Sequence, residues 1–385
     1  MSSSPYSSSS SPPPTSGDSP PSNLPLKKIP GDYGLPFLGP IRDHTLLLQP
    51  RQGQFFQSRI KKYNSTIFRT NMPPGPFIAR NPKVIAVLDA VSFPVLFDTA
   101  KVEKKNVLDG TFFPSTAFTG GHRVCAYLDP SEPNHAVFKG WFLSLLAARH
   151  NKFIPLFQNS LSHLFANVEA ELSKNGKQIS TLERRTSLYD GFYISTSKIL
   201  DEAEKLGIQR DEACHNLVFM AGFNAYGGMK TLFPALIKWV ATAGESLHRR
   251  LANEIRTVVE SEGGVTFSAL DKMSLLKSVV YEAMRIEPPV PFQYGRLRLT
   301  WWSTTTTRRD GEKLLKYVYW SNGRETDEPT AENKQCPAKD VVVLLARVLL
   351  VEFFLRYDTL TAEVATLLLG SSVTITSLTK AESTA

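Results

Sequence analysis

The longest apolar run of the chain, residues 341–355, most constrains the fold. It reads VVVLLARVLLVEFFL and is interrupted by Arg347 and Glu352. A membrane-spanning helix needs about 20 almost uniformly apolar residues. The interrupted run therefore predicts a helix buried in a protein core rather than a membrane span. With 385 residues, 42% of them hydrophobic, the chain is long enough to bury such a helix.

Helical periodicity dominates from residue 134 onward. Amphipathic helices are predicted in HAVFKGWFLSLLAARHNKFIPLFQNSLSHLFANVEAELSKNG, in the segment that runs from EACHNLVF to VVESEGG, and in MSLLKSVVYEAMRIEPPVP, which ends at prolines. Ahead of them, STIFRTN and PFIA predict two short strands joined by a turn at MPPG, and PKVIAVLD predicts a helix that begins at a proline. The sequence thus predicts a mainly α fold with a minor β part (α+β).

Residues 1–23 differ in composition from the rest of the chain. They are rich in Ser and Pro and predict a disordered leader, followed by a single domain over residues 24–385. A Ser-rich, acid-poor leader is typical of a plastid transit peptide, but this one has no Arg and no amphipathic period. A plain flexible tail is an equally good interpretation, so plastid and cytoplasm both remain open.

Charge and cysteine content exclude several classes of function. The net charge is +8, but Lys and Arg are scattered among 36 acidic residues instead of forming a stripe, so no nucleic-acid partner is expected. Cys125, Cys214 and Cys336 are odd in number and widely spaced, which argues against a disulfide framework or a paired-cysteine metal site. A cysteine hydrolase that uses Cys214 with His215 is disfavoured, because adjacent residues of a helix point in different directions.

Glu282, Arg285 and Cys336 form an ordered set of motifs. Glu282 and Arg285 share one face of a helix that ends at a Pro-rich break, and Cys336 follows just ahead of the apolar run. Taken singly, a surface ion pair and a buried structural cysteine are the simpler interpretations. Taken in order, the motifs resemble those of haem-thiolate cytochromes P-450. The free N–H groups and dipole of a helix N-terminus stabilise a thiolate, which suits an axial ligand to iron.

Longer sequence motifs restrict the resemblance to one branch of these proteins. LPLKKIPGDYGLPFLGPI, YLDPSEPNH, HNLVFMAGFNAYGG, KSVVYEAMRIEPPVP and NKQCPAKD together resemble the plant allene oxide synthase and fatty acid hydroperoxide lyase family, an atypical cytochrome P-450 branch. The resemblance implies haem b with an axial thiolate and a polyunsaturated fatty acid hydroperoxide as substrate. It implies homolytic O–O cleavage without dioxygen or a reductase, in oxylipin biosynthesis. No transmembrane segment is expected, and peripheral membrane association is an open expectation.

The sequence motif at residues 222–225 supports this interpretation. Oxygen-activating relatives carry an acid and an alcohol there to deliver protons to bound dioxygen, whereas this chain has Asn224 and Ala225, which can do neither. The resemblance implies that Asn224 is the catalytic amide that orients the hydroperoxide; an Asn bonded within its own helix is the alternative. It also places five residues in the substrate pocket, namely Leu108, Phe223, Ala225, Gly227 and Gly228.

The resemblance assigns three further roles. Cys336 is the expected thiolate ligand of the iron. His135 and Lys139, four residues apart, are expected at the haem propionates, with a solvated helix face as the alternative. Leu108 stands where synthases commonly carry Phe and lyases Leu, which tilts the prediction mildly toward lyase; ordinary loop packing explains Leu108 equally well.

Two segments depart from the family pattern. Near residues 177–188 and 297–310 the chain lacks long segments that the relatives have between neighbouring motifs. The second of these segments contains, in the relatives, an arginine that completes the Glu282 and Arg285 cluster. Breaking a buried network of this kind costs on the order of 3–5 kcal/mol, against a total stability of roughly 5–15 kcal/mol for a domain. The alternative function is therefore a truncated, catalytically inactive member that does not retain haem.

Overall fold

The computed structural model describes most of the chain beyond the leader. The described residues are 28–48, 52–72, 81–89, 92–107, 116–175, 179–180, 196–290, 292, 294–297, 315, 318–367 and 370–381. The predicted leader, the predicted strand PFIA and Leu108 lie outside them, as do nearly all residues of the two departures from the family pattern.

Helices make up most of the described residues. In chain order they are α1 (Leu38–Leu48), α2 (Gln52–Tyr63), α3 (Phe93–Phe97), α4 (Pro133–Ala148), α5 (Phe153–Asn175), α6 (Thr196–Lys205), α7 (Arg210–Val218), α8 (Gly227–Ala243), α9 (Glu245–Glu262), α10 (Phe267–Lys272), α11 (Ser274–Ile286) and α12 (Lys339–Arg356). The strands are β1 (Ile67–Asn71), β2 (Lys83–Val87), β3 (Val102–Glu103), β4 (Ile179–Ser180), β5 (Arg296–Leu297), β6 (Tyr357–Leu367) and β7 (Gly370–Lys380). The predicted mainly α fold with a minor β part is confirmed.

The strands form small antiparallel sheets, and one of them corrects a prediction. β1 pairs with β2, β3 with β5, and β7 lies between β4 and β6. The segment PKVIAVLD, predicted as a helix, contains β2 instead, in register with β1 from Ile67 opposite Val87 to Asn71 opposite Lys83. Val84, Ile85 and Val87 are β-branched and suit a pleated strand. The pairing therefore outweighs the helix start signal of the proline.

The apolar run forms α12, the centre of the main hydrophobic cluster, as predicted. Helices α5, α8, α9 and α11 pack around it. Its two charged residues are buried and partnered: Glu352 accepts from Gln158 Nε2 at 2.6 Å and pairs with Arg356, and Arg347 Nη1 lies 3.6 Å from an oxygen of Asp271. Across the described residues, no helix combines the length and apolarity that crossing a membrane requires.

A carboxylate at the end of α11 joins three elements. Glu287 follows the last residue of α11, ahead of the Pro-rich break that predicted the end of the helix. Its carboxylate accepts from Lys238 Nζ at 2.7 Å and Trp239 Nε1 at 3.1 Å on α8, and from Ser371 Oγ at 2.6 Å on β7. The network holds the β6–β7 hairpin against α8.

Asp43 organises the N-terminal elements. Its carboxylate, which is 1% exposed, pairs with Arg59 on α2 at 2.7 Å and accepts from the backbone N–H and side-chain amide of Asn71 at 3.1 and 2.9 Å. Burial alone raises the pKa of Asp43, but the bonds from Arg42 and Asn71 outweigh it, so the pKa lies below its usual range. The ionised carboxylate thus joins α1, α2 and β1.

Replacing Asp43 by Asn should destabilise the protein in a pH-dependent way. The change leaves Arg59 without its buried partner, which costs about 3 kcal/mol. A carboxyl whose folded pKa is lowered stabilises above its unfolded pKa and loses that contribution as the pH falls through the folded pKa. Urea unfolding should therefore separate Asp43→Asn from wild type at neutral pH and less so at acidic pH. Asp32→Asn, at an exposed carboxylate beside Arg42, is the control; equal stability of the two variants would contradict the prediction.

Candidate active site

Cys336 lies where the segment from Val318 to Ala338 enters α12. Its side chain is partly buried at the edge of the main cluster. Its backbone N–H donates to the carbonyl of Trp320 at 3.4 Å. Burial raises the pKa of the Cys336 thiol, whereas the backbone N–H of Ala338 and the cation of Lys139 act in the opposite direction. The pKa of the thiol is raised overall, and the hydrogen-bond donor and the positive charge reduce that shift.

Side-chain donors hold this irregular segment in place. Gln335 Nε2 donates to the carbonyls of Arg324 at 2.5 Å and Asp327 at 3.0 Å. Lys339 Nζ donates to the carbonyls of Glu325 at 3.0 Å and Asp327 at 2.8 Å. A Cβ on Gly323 would lie 2.6 Å from the Gln335 side chain, so only glycine fits there. The backbone around Cys336 is thus fixed by contacts on both sides of the cysteine.

The structure brings His135 and Lys139 to the same segment. Both are buried on one face of α4. Lys139 Nζ donates to the carbonyl and the side-chain oxygen of Asn333 at 2.5 and 2.7 Å. The His135 ring bonds to the backbone of Ala331, while its Nδ1 is buried without a partner among the described residues. The alternative of a solvated helix face is therefore wrong, and the propionate role stays a prediction.

Two lysines missed in the sequence analysis complete a buried basic cluster with His135 and Lys139. Lys334 Nζ donates to the carbonyl of Ala126 at 2.8 Å, and Lys104 Nζ to the carbonyl of Tyr294. Burial lowers the pKa of Lys104 to about 7, of Lys139 and Lys334 to about 8, and of His135 to about 4. Lys334 is part of the motif NKQCPAKD, which was the one available signal. Of the four basic groups, Lys139 is the one whose charge acts on the candidate ligand Cys336.

The motif that contains Asn224 lies in the irregular middle of a long helix. α7 continues into a π-helix, Phe219–Tyr226, which continues into α8. π-Helices are rare and frequently occur at functional sites, and nothing in the sequence analysis predicted this one. Asn224 is exposed, and its side-chain amide makes no hydrogen bond within the described part of the chain, so the alternative of an amide bonded within its own helix is not realised.

The proposed pocket neighbours lie on the same stretch. Phe223 is exposed and stacks on Phe219 with a ring separation of 4.9 Å. Gly227 and Gly228 begin α8, and a Cβ at either would have no neighbour within 4 Å. Ala225 is partly buried. Their roles toward a ligand remain predictions.

A short bridge connects the long helix with the cysteine segment. Asn216 on α7 accepts the backbone N–H of Cys125 at 2.8 Å through its side-chain oxygen. Cys125 and Ala126, in a short 3₁₀ turn, offer their carbonyls to Lys334 at 3.4 and 2.8 Å. These three bonds link the helix that carries Asn224 to the segment that carries Cys336.

Glu282 and Arg285 pair on the surface of α11. Arg285 donates through Nη2 and Nε to the two carboxylate oxygens at 2.7 and 2.8 Å. The side chains are 47% and 36% exposed. The ion pair thus forms with water available to both partners.

Comparison with known proteins identifies the family to which the chain is similar. The family model for Cytochrome P450 matches residues 114–299. "Allene oxide synthase 3" of Solanum lycopersicum is 44% identical over 94% of this chain and 96% of the relative. "Allene oxide synthase 1, chloroplastic" of the same plant is 42% identical over 98% and 91%. "Allene oxide synthase 2" of Oryza sativa subsp. japonica is 42% identical over 94% and 98%.

The alignments also differ in length from the chain. They run over 470, 487 and 472 positions, more than the 385 residues present here, so the relatives contain stretches without a counterpart in this chain. The identity nevertheless extends over nearly the whole sequence. The chain therefore belongs to the allene oxide synthase branch of the cytochrome P450 family.

Proposed function

We propose that the protein is a haem-thiolate enzyme that converts a polyunsaturated fatty acid hydroperoxide into an allene oxide, with loss of water and without dioxygen or a reductase. The observation that carries the proposal is the Cys336 thiol beside buried basic groups at the head of the core helix α12. The relatives, which are named allene oxide synthases, support the same reaction.

The residues around Cys336 fit haem b. The Cys336 thiol would hold the iron, with the N–H of Ala338 and the cation of Lys139 favouring its anionic form. His135 has a buried Nδ1 without a partner among the described residues, and Lys139 and Lys334 would supply positive charge for the haem carboxylates. When bound, haem supplies one-electron chemistry on the O–O bond, which electron donation by a thiolate favours.

Asn224 is the proposed catalytic residue of the chain itself. Its amide can donate to one oxygen of a hydroperoxide and accept from the other, but it cannot supply a proton as an acid would. Ala225 removes the hydroxyl from the next position. A site of this kind orients a substrate that already contains an O–O bond and is poorly equipped to activate dioxygen.

The choice of product rests on two opposing observations. The names of the relatives favour the synthase, whereas Leu108, which lies outside the described residues, tilts mildly toward lyase. We favour the synthase because the names accompany identity over nearly the whole chain. Short-chain aldehydes as the main product would instead identify a hydroperoxide lyase, and a purified protein without haem would support the alternative of an inactive family member.

The chloroplastic relatives and the Ser-rich leader support a plastid location. A peripheral contact with a membrane would use the N-terminal segment, where Leu35, Phe37 and Leu38 are 69%, 69% and 63% exposed. Three adjoining apolar side chains of this size suit insertion into a lipid interface.

Replacing Cys336 by Ala should abolish the thiolate-type Soret band and lower hydroperoxide turnover by at least about a hundredfold, because the iron would lose its axial ligand. The measurements are absorption spectra of the ferrous–CO complex and loss of hydroperoxide without added reductant. Cys214→Ala, at a partly buried cysteine on α7, is the control. An unchanged spectrum and rate in Cys336→Ala would end the proposal.

Replacing Asn224 by Ala should lower kcat/KM for the hydroperoxide by about a hundredfold and leave the haem spectrum unchanged, because the change removes a positioned donor but no haem contact. Lys230→Ala, at an exposed position further along the same helix, should retain wild-type turnover. Equal rates for the two variants would remove Asn224 from the catalytic role.

Membrane contact is tested by flotation of the purified protein with anionic phospholipid vesicles. Changing Leu35, Phe37 and Leu38 together to Ser should reduce the vesicle-bound fraction by about tenfold or more, because three large apolar side chains no longer enter the lipid. Leu206→Ser, at an exposed leucine next to α6, should bind like wild type. Unreduced binding by the triple variant would show that this segment does not make the contact.

A further inference from the structure

We propose that Glu325 is a positioning residue for Cys336 and acts through Trp320. The inference rests on the proposed haem-thiolate function, and it concerns how this chain holds the sulfur in place.

Glu325 is the acceptor for two side chains from different parts of the chain. One carboxylate oxygen accepts from Tyr281 Oη on α11 at 2.7 Å. The other accepts from Trp320 Nε1 at 2.5 Å. The backbone N–H of Glu325 donates to the carbonyl of Val318 at 2.8 Å. The carboxylate therefore fixes the Trp320 side chain relative to α11.

Trp320 in turn contacts the backbone of Cys336. Its indole is buried, and its carbonyl accepts the backbone N–H of Cys336 at 3.4 Å. Trp320 and Gly323 also exchange backbone hydrogen bonds of 2.7 and 3.1 Å, which close a tight turn. A continuous path of bonds thus runs from Tyr281 through Glu325 and Trp320 to the backbone of the proposed ligand.

A carboxylate with an acceptor oxygen for each donor is the group that this path requires. Tyr281 and Trp320 both present a hydrogen to Glu325, and only an acceptor with two free oxygens satisfies both. Burial and the nearby carboxylate raise the pKa of Tyr281, which keeps its hydroxyl a donor. A glutamine would face one of the two donors with its own NH₂ group and break that bond.

The inference predicts a specific defect in the variant Glu325→Gln. Haem should transfer from this variant to an excess of apomyoglobin about tenfold faster or more than from wild type, as expected for loss of a hydrogen bond to a charged group. A smaller fraction of its bound haem should show the thiolate-type Soret band of the ferrous–CO complex. Tyr281→Phe, which removes one of the two donors, should shift both measurements in the same direction by less.

Glu328→Gln is the matched control. It makes the same chemical change three residues further along the segment, at a carboxylate that is 77% exposed and lies 3.5 Å from Lys339. It should retain haem and the thiolate-type band like wild type. The thiolate fraction per bound haem separates positioning from a general loss of stability, which would lower the amount of folded protein without changing the ligation of the haem that remains.

The outcomes distinguish this inference from the proposed function. A wild-type protein without thiolate-ligated haem would end the proposed function and this inference with it. A wild-type protein with thiolate-ligated haem, together with Glu325→Gln and Tyr281→Phe variants that behave like Glu328→Gln, would end only the inference. If Glu325→Gln does not fold, the isosteric Tyr281→Phe decides alone: an unchanged haem transfer rate and thiolate fraction would overturn the proposal.

Discussion

The backbone carbonyls of the irregular segment before α12 are the constraint on which the site depends. A buried carbonyl outside regular secondary structure needs a donor, because leaving it unpaired costs about 1–3 kcal/mol. Here the donors are long side chains: Gln335 and Lys339 bond to carbonyls within the segment, and Lys139 reaches it from α4. The same bonds that satisfy the carbonyls also determine where the Cys336 thiol lies. Stability of the segment and placement of the sulfur are therefore one requirement.

The basic cluster follows from the same arrangement. Lys104, Lys139 and Lys334 bond mainly to carbonyls and not to carboxylates, so burial lowers their pKa values. Buried cations without full counter-charges are costly in an empty protein but favourable next to an anion. The carboxylates of haem have the right sign of charge, which is why the cluster supports the proposed binding of haem.

Local patterns predicted the parts of the fold that depend on local sequence. The apolar run became α12, and the prolines after α11 ended that helix where expected. The spacing of His135 and Lys139 correctly placed them on one helix face. β2 was missed because its strand character depends on a partner strand in another segment. Lys104 was missed for a similar reason: its acceptor, the carbonyl of Tyr294, lies 190 residues away in the sequence, and periodicity carries no signal for such a contact.

Two of the polar contacts made by α11 differ greatly in weight. The pair of Glu282 and Arg285 is exposed, and surface ion pairs contribute only about 0–1 kcal/mol. Water can solvate both partners, so a missing third partner costs far less than the 3–5 kcal/mol of a broken buried network. The bond from Tyr281 to Glu325 is partly buried and involves a charge, which makes it worth about 1.5–3 kcal/mol. In this chain α11 is therefore coupled to the Cys336 segment by the hydrogen bond of Tyr281, the residue just before Glu282. The Glu282–Arg285 pair itself contributes little to holding that segment.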